Sequence, residues 1–303
     1  MGKATRVKRE NARERVAAQR AAERRRERRN RMFIAGGSIL GVVVIVVAFL
    51  FFKTLNHGTP ASASSSSAAG TALPASVVKD ITSVPASTLT SVGAGTANAK
   101  SVALVSSAKT LTSGGKPEVL YIGAQYCPYC ATERWAMAVA LSRFGTFSGL
   151  SGIHSAGGQE VYPNTATLNF YKARYTSKYL TFTPVETQTE KEGTALQKTT
   201  SAQNALLTKY DSPPYVSSSE QGAIPFVDFG GKYFVHGAQY DPQVLSGQTW
   251  AQVAAALQDP SSAIAKGADG AANMITATIC KVTNNQPSNV CTSPVIKTIQ
   301  GQL

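Results

Sequence analysis

The apolar positions of this chain fall into separated blocks, and their spacing predicts the elements. Phe33 to Phe52 is a run of 20 residues without a charge, enough to cross a hydrocarbon core of about 30 Å as a helix. Gly58 to Gly70 is dominated by Ser and Ala, so residues 53–77 read as a flexible linker. Apolar content recovers through Ile81, Val84, Leu89 and Val92, and Ala99 to Leu111 predicts a short helix before the Gly114-Gly115 break. Glu118 to Gly123 is short and continuously apolar, the pattern of a buried strand. Ala131 to Phe144 sets Trp135, Val139 and Phe144 near helical spacing, with Glu133, Arg134 and Arg143 elsewhere, which predicts an amphipathic helix with one face on a sheet.

Further along, Gly145 to Asn164 is rich in Gly and Ser and predicts a long loop. Thr167 to Tyr171 and Tyr179 to Val185 read as strands, and Ala195 to Lys209 as a helix closed by Pro213-Pro214. Ile224 to Phe229 and Lys232 to His236, joined by Gly230-Gly231, carry a hairpin signal. Gln243 to Leu257 and Ser262 to Ile279 are the last predicted helices, followed by a tail over 294–303. The order is a strand, a helix, one or two strands, a helix, an antiparallel hairpin and a final helix. That α/β order is the connectivity of the thioredoxin fold, here with a long insertion over about 145–215 inside a domain spanning 78–293.

Charge changes the picture at one end only. Residues 1–32 hold 13 of the 30 Lys and Arg and 4 of the 17 Asp and Glu, which is +9 of the net +13. Such a tail can bind nucleic acid or anionic lipid, or orient a membrane protein. Its arginines stop at Arg31, directly before the apolar run, with only Lys53 beyond it, and it lacks interleaved aromatics. The reading is therefore a basic cytoplasmic tail over 1–32, a single transmembrane helix over 33–52 and an exported remainder, with membrane lipid and not nucleic acid as its partner. A cleavable signal peptide ending near Ala61-Ser62-Ala63 is the rival, although its apolar run exceeds the usual roughly 7 to 15 residues.

All four cysteines lie beyond that run. Cys127-Pro128-Tyr129-Cys130 sits where the apolar strand gives way to the helix, so the first thiol meets unpaired N–H groups and the positive end of the helix dipole. A thiolate is favoured there. Zinc is the competing use of a C-x-x-C, but it needs four ligands, and His57, His154 and His236 form no cluster in sequence. Redox exchange is thus expected without metal or other cofactor. Cys127 is the expected nucleophile and Cys130 the resolving thiol, Pro128 fits the first helical turn, and Tyr129 tunes the redox poise. Glu133 or Asp228 could assist Cys130 as acid or base, with a solvated helix face as the plainer reading of Glu133.

Cys280 and Cys291 frame a polar loop holding Pro287 and two adjacent asparagines, and a structural disulfide is expected there. A relay passing electrons to or from Cys127 and Cys130 is the sharper alternative. His236 reads as a partly buried structural residue, and Trp135 and Trp250 as packing residues.

The stretches 115–135 (through Tyr-Ile-Gly-Ala-Gln-Tyr-Cys-Pro-Tyr-Cys), 141–150 and 224–230 (Ile-Pro-Phe-Val-Asp-Phe-Gly) resemble the domain-of-unknown-function family nine-two-nine. Its members resemble membrane-anchored thioredoxin-like proteins of actinobacteria and archaea. The resemblance runs over about 78–293 and includes the late cysteine pair. The wider thioredoxin-like superfamily implies that Pro225 is a cis-proline lying against the dithiol, with Ile224 beside it, together with Pro128 and Tyr129, contacting substrate. Gln125-Tyr126 departs from the tryptophan usual before such a motif. The implied activity is thiol–disulfide exchange with exported proteins, recycled by an unidentified redox partner. The other class left open is a non-catalytic envelope binding or assembly module on the same scaffold.

Overall fold

The computed structural model describes residues 68–105 and 110–303. The expected basic tail, the Phe33–Phe52 span and most of the linker lie outside the described residues, and among those described no helix is long and apolar enough to cross a membrane. What is described is a mixed α/β domain.

Its centre is β4 (Lys116–Gly123), hydrogen-bonded on one side to β10 (Phe226–Phe229) and on the other, in parallel, to β9 (Thr181–Glu186). β10 turns through Gly230-Gly231 into antiparallel β11 (Tyr233–His236), whose outer edge is taken by β2 (Val102–Leu104). Short β3 (Thr112–Ser113) pairs with the start of β4. Alternation along the strands sends Val119, Tyr121, Val227, Phe229 and Val235 to one face and Leu120, Ile122, Phe226 and Phe234 to the other. Both faces are covered, which is why β4 reads as an unbroken apolar run.

The first face carries α3 (Pro128–Ser142) and α6 (Ala263–Val282), packed on each other, and the second carries α4 (Ser201–Tyr210) through Leu206, Leu207 and Tyr210. Two glycines let α6 accept close neighbours. A Cβ on Gly270 would lie 2.4 Å from the Ala94 carbonyl oxygen, and one on Gly267 2.6 Å from the Tyr240 ring.

Several expectations are corrected. The linker does not extend to residue 77. β1 (Thr71–Ala72) pairs with β6 (Ser151–His154), and α1 (Ala75–Thr82) and α2 (Ala86–Val92) bury Val77, Ile81 and Leu89 in the main core. The small, polar composition hid this, because three apolar side chains suffice to dock two short helices. Of the helix expected over 99–111, the described residues 99–105 instead form a single 3₁₀ turn (Ala99–Ser101) and then β2, since pairing with β11 satisfies an otherwise open sheet edge. The expected loop over 145–164 contains β5 (Gly145–Ser148) and β6. β5 pairs with β8 (Arg174–Ser177) and β6 with β7 (Ala166–Asn169), forming two small antiparallel sheets outside the central one. The last residues are not a tail: α8 (Pro294–Gln300) buries Ile296 and Ile299 against α6. The helix after the dithiol is buried nearly all round and not amphipathic, because α6, β7 and the sheet enclose it.

Candidate functional site

β4 ends at Gly123 and the chain crosses its end through Ala124, Gln125 and Tyr126 to enter α3. Cys127 is the N-cap residue (φ −75°, ψ 122°), and its Sγ accepts the Cys130 N–H at 3.3 Å. The thiol thus does the work normally done by a serine or aspartate oxygen, using a donor that the helix would otherwise leave unpaired. Pro128 follows in the first turn, where a missing N–H removes nothing. Cys127 Sγ also lies 3.5 Å from the Ile224 carbonyl oxygen, so Ile224 is brought to the dithiol, and the Ile224–Pro225 peptide is cis.

The two thiols are inequivalent. Cys127 is 5% exposed and Cys130 fully buried. The hydrogen bonding between them, aided by the nearby Arg134 charge, holds Cys127 below the ordinary thiol range against the opposing effect of burial. Burial first, then the Cys127 sulfur, pushes Cys130 well above it. The arrangement can therefore present one sulfur as a thiolate while keeping its neighbour protonated in reserve.

Beneath the dithiol lies a buried ion pair that sequence reasoning missed. Arg134 donates through Nε and Nη2 to the two carboxylate oxygens of Glu186, each at 2.8 Å, and Nη2 also donates to the Ala124 carbonyl at 2.7 Å. Both side chains are fully buried. Glu186 ends β9, next to β4 in the sheet but 52 residues from Arg134 in sequence, so no local pattern announces the pairing. Gln125 is buried too. Its Nε2 donates to the Ala68 carbonyl at 2.7 Å and to Asn169 Oδ1 at 3.0 Å, so the residue in the unusual position before the motif fastens the beginning of the domain to β7.

Glu133 is corrected from a solvated helix face to a fully buried carboxyl. It turns toward the 237–240 segment, where its Oε2 accepts the Gln239 N–H at 3.1 Å, and burial pushes it up to about 8. The groups acting electrostatically on Cys130 are Cys127, Arg134 and Glu186, and Glu133 is not among them. Asp228 is equally committed elsewhere: its Oδ1 accepts the Gly231 N–H at 2.6 Å, capping the hairpin turn on the sheet face opposite α3. Cys280 and Cys291 have their sulfurs 1.94 Å apart, a disulfide closing the loop after α6, where Asn284 and Asn285 take left-handed conformations (φ 53° and 58°). His236 Nε2 lies 2.9 Å from Asp211 Oδ1 and 2.9 Å from the Glu220 carbonyl oxygen, tying residues 211–220 to the end of β11. Trp135 is a core residue whose Nε1 donates to the Ala166 carbonyl, and Trp250 donates to that of Thr167.

Beside the dithiol opens a cavity of about 610 Å³. Tyr129 and Ile224 form its end at the cysteines, Phe234 and His236 line it from β11, and Lys100 and Tyr215 come from the segments on either side.

Fold and site together define a mixed α/β domain with a dithiol at the N-terminus of a buried helix and a separate disulfide at the end of another. The family model described as Domain of unknown function (DUF929) matches residues 102–281, and the chain belongs to that family. Comparison with curated proteins and with solved structures finds no match.

Proposed function

We propose that this protein is a thiol–disulfide oxidoreductase with a thioredoxin-like fold, anchored by residues 33–52 and acting outside the cytoplasm on exported proteins. The observation that carries the reading is the N-capping Cys127 sulfur, acidified and paired with a protonated, buried Cys130. The connectivity supports the fold assignment. Parallel β4 and β9 flank a crossover containing α3, the antiparallel β10–β11 hairpin joins on the β4 side, and α6 follows it.

In the reductive direction the Cys127 thiolate attacks one sulfur of a substrate disulfide, forming a mixed disulfide and releasing the other sulfur as a thiolate. Cys130 then loses its proton and attacks Cys127, so the substrate leaves with two thiols and the Cys127–Cys130 pair carries the disulfide. The reverse sequence delivers a disulfide to a reduced substrate. Once Cys127 bonds to substrate, the Ile224 carbonyl loses its thiol neighbour and is free to accept a backbone N–H from the substrate. Pro225 and Pro128, the next residues after Ile224 and Cys127, bring no backbone N–H of their own to compete for that carbonyl.

Cys130→Ser in the full-length chain tests this. Proteins joined to Cys127 by disulfides should accumulate in the envelope fraction, be released by reductant and vanish when Cys127 is also replaced by Ser. No reductant-sensitive adduct under oxidising and reducing growth conditions alike would sink the proposal.

A further inference from the structure

Four large apolar side chains stand exposed among the described residues: Leu104 at 55%, Tyr129 at 41%, Val161 at 68% and Tyr215 at 37%. Single exposed apolar residues are ordinary, whereas a cluster around one point is not. Two of these four border the dithiol's cavity, and a third is the chain neighbour of a residue that touches the motif. Tyr129 lies inside the motif, Val161 adjoins Tyr162, whose ring meets that of Tyr129 edge-on at 6.0 Å, and Tyr215 lines the same cavity as Tyr129. Cys127, by contrast, is recessed at 5% exposure.

These side chains are held in place. Tyr215 packs edge-on against Tyr210 at 5.0 Å and Phe234 at 5.9 Å, and its segment is fastened by the His236 contacts to Asp211 and Glu220. The loop bearing Val161 is pinned where the Ala156 N–H donates to the Tyr126 carbonyl at 2.8 Å. A rim whose aromatic side chains are already packed binds without the cost of ordering them. Lys100 on one wall and Glu220 on the other balance in charge, so the cavity favours a segment without net charge.

Resting on the oxidoreductase reading, we infer that the substrates are incompletely folded polypeptides, taken as an extended uncharged segment in which aromatic or large aliphatic residues flank the reacting cysteine. One flank lies in the cavity against Tyr129 and Tyr215, and the other passes over Tyr162 and Val161. A folded surface has its large apolar side chains inside and cannot lower a cysteine into this recess. An unfolded segment offers both.

The test uses the full-length Cys130→Ser chain and two short peptides. In one the central cysteine is flanked by phenylalanines, in the other by glycines, and each cysteine carries thionitrobenzoate as a mixed disulfide. The Cys127 thiolate displaces thionitrobenzoate, which leaves as a coloured thiolate while the peptide sulfur bonds to Cys127. The phenylalanine peptide should react at least about tenfold faster, the equivalent of one partly buried apolar side chain. Adding Tyr215→Ser or Val161→Ser should each reduce that ratio to about threefold or less, whereas Leu104→Ser, on β2 away from the dithiol, should keep it. Equal rates for the two peptides, or a ratio insensitive to both rim substitutions, would overturn the inference while leaving the redox reading intact. If neither peptide reacts faster than with a chain lacking both thiols, the redox reading falls. The rim is then judged by fluorescence anisotropy of a labelled, cysteine-free phenylalanine peptide: binding that both rim substitutions weaken upholds it, and absence of binding overturns it.

Discussion

The two cysteine pairs occupy opposite ends of two helices that pack on each other. Cys127 and Cys130 open α3, where free N–H groups point outward and one sulfur already accepts one of them. Cys280 lies in the last turn of α6, at the negative end of the helix dipole, which offers a thiolate nothing, and it is bonded to Cys291, 11 positions further on. The residue type is the same, and the helix end decides what it can do. The N-terminal pair is held as an acid and its reserve, while the C-terminal pair holds the chain after α6 in place.

Alkylation should show this contrast at its largest. In the reduced native protein Cys127 should react with iodoacetamide on the order of a hundredfold faster than Cys130, as expected for a thiolate beside a buried thiol. Its rate should rise through a midpoint below the ordinary thiol range, since its pKa is lowered by the bond from Cys130 and by Arg134. Cys280 and Cys291 should stay unlabelled until the protein is both reduced and unfolded. Peptide mapping after timed labelling reads all four sites, and comparable rates at Cys127 and Cys130 would erase the inequivalence.

Next in size is the Arg134–Glu186 pair. Arg134→Met leaves the Glu186 carboxylate buried without its bidentate partner and should cost about 3–5 kcal/mol in denaturant unfolding. Adding Glu186→Gln should restore a large part of that loss. The same substitution removes a positive charge from beside the thiols, so the alkylation midpoint of Cys127 should move up. A fully stable Arg134→Met protein would show that this pair does not hold the strand and the dithiol helix together.

Replacing both Cys280 and Cys291 by Ala should cost less, about 2–4 kcal/mol, from the freed loop. The Cys127 labelling rate should not change. If labelling slowed or its midpoint shifted, the two pairs would be coupled and the relay alternative would gain ground over a purely structural bond.

The sequence made the site's outline readable because its signals are local. Cys127 to Cys130 spans one turn, and β10 and β11 meet across two glycines, so both could be read from neighbouring residues. What surrounds them is joined over distance. Arg134 finds Glu186, Gln125 finds Ala68 and Asn169, and β2 finds β11, none of which leaves a periodic trace. The error at Glu133 has the same origin. A charged residue on a helix normally marks its wet face, and this one is enclosed by the 237–240 segment, which packs between α3 and α6. Likewise α8 and α1 read as tail and linker because each docks through two buried side chains.

That enclosure supplies the smallest of the tests, and it sits between the two helices being compared. Glu133 from α3 and Asp269 from α6 are both fully buried, both act on the Tyr240 hydroxyl, and burial pushes each up to about 8. In the unfolded chain they titrate near 4, so between about pH 4 and 8 the folded state keeps protons that the unfolded state has released. Stability must then fall as pH rises through this window, by at most about 1.4 kcal/mol per pH unit for each carboxyl, and level off above pH 8. Glu133→Gln keeps the shape and the acceptor for the Gln239 N–H but has no proton to lose, so it should flatten part of the slope, and Asp269→Asn a further part. Urea melts at pH 5, 6, 7 and 8 on the single and double variants measure it. Burial also pushes Asp211 and Asp228 up to about 6, so the decisive range is pH 6 to 8: a slope there that survives both changes would place the titrating groups elsewhere and leave the α3–α6 contact insensitive to pH.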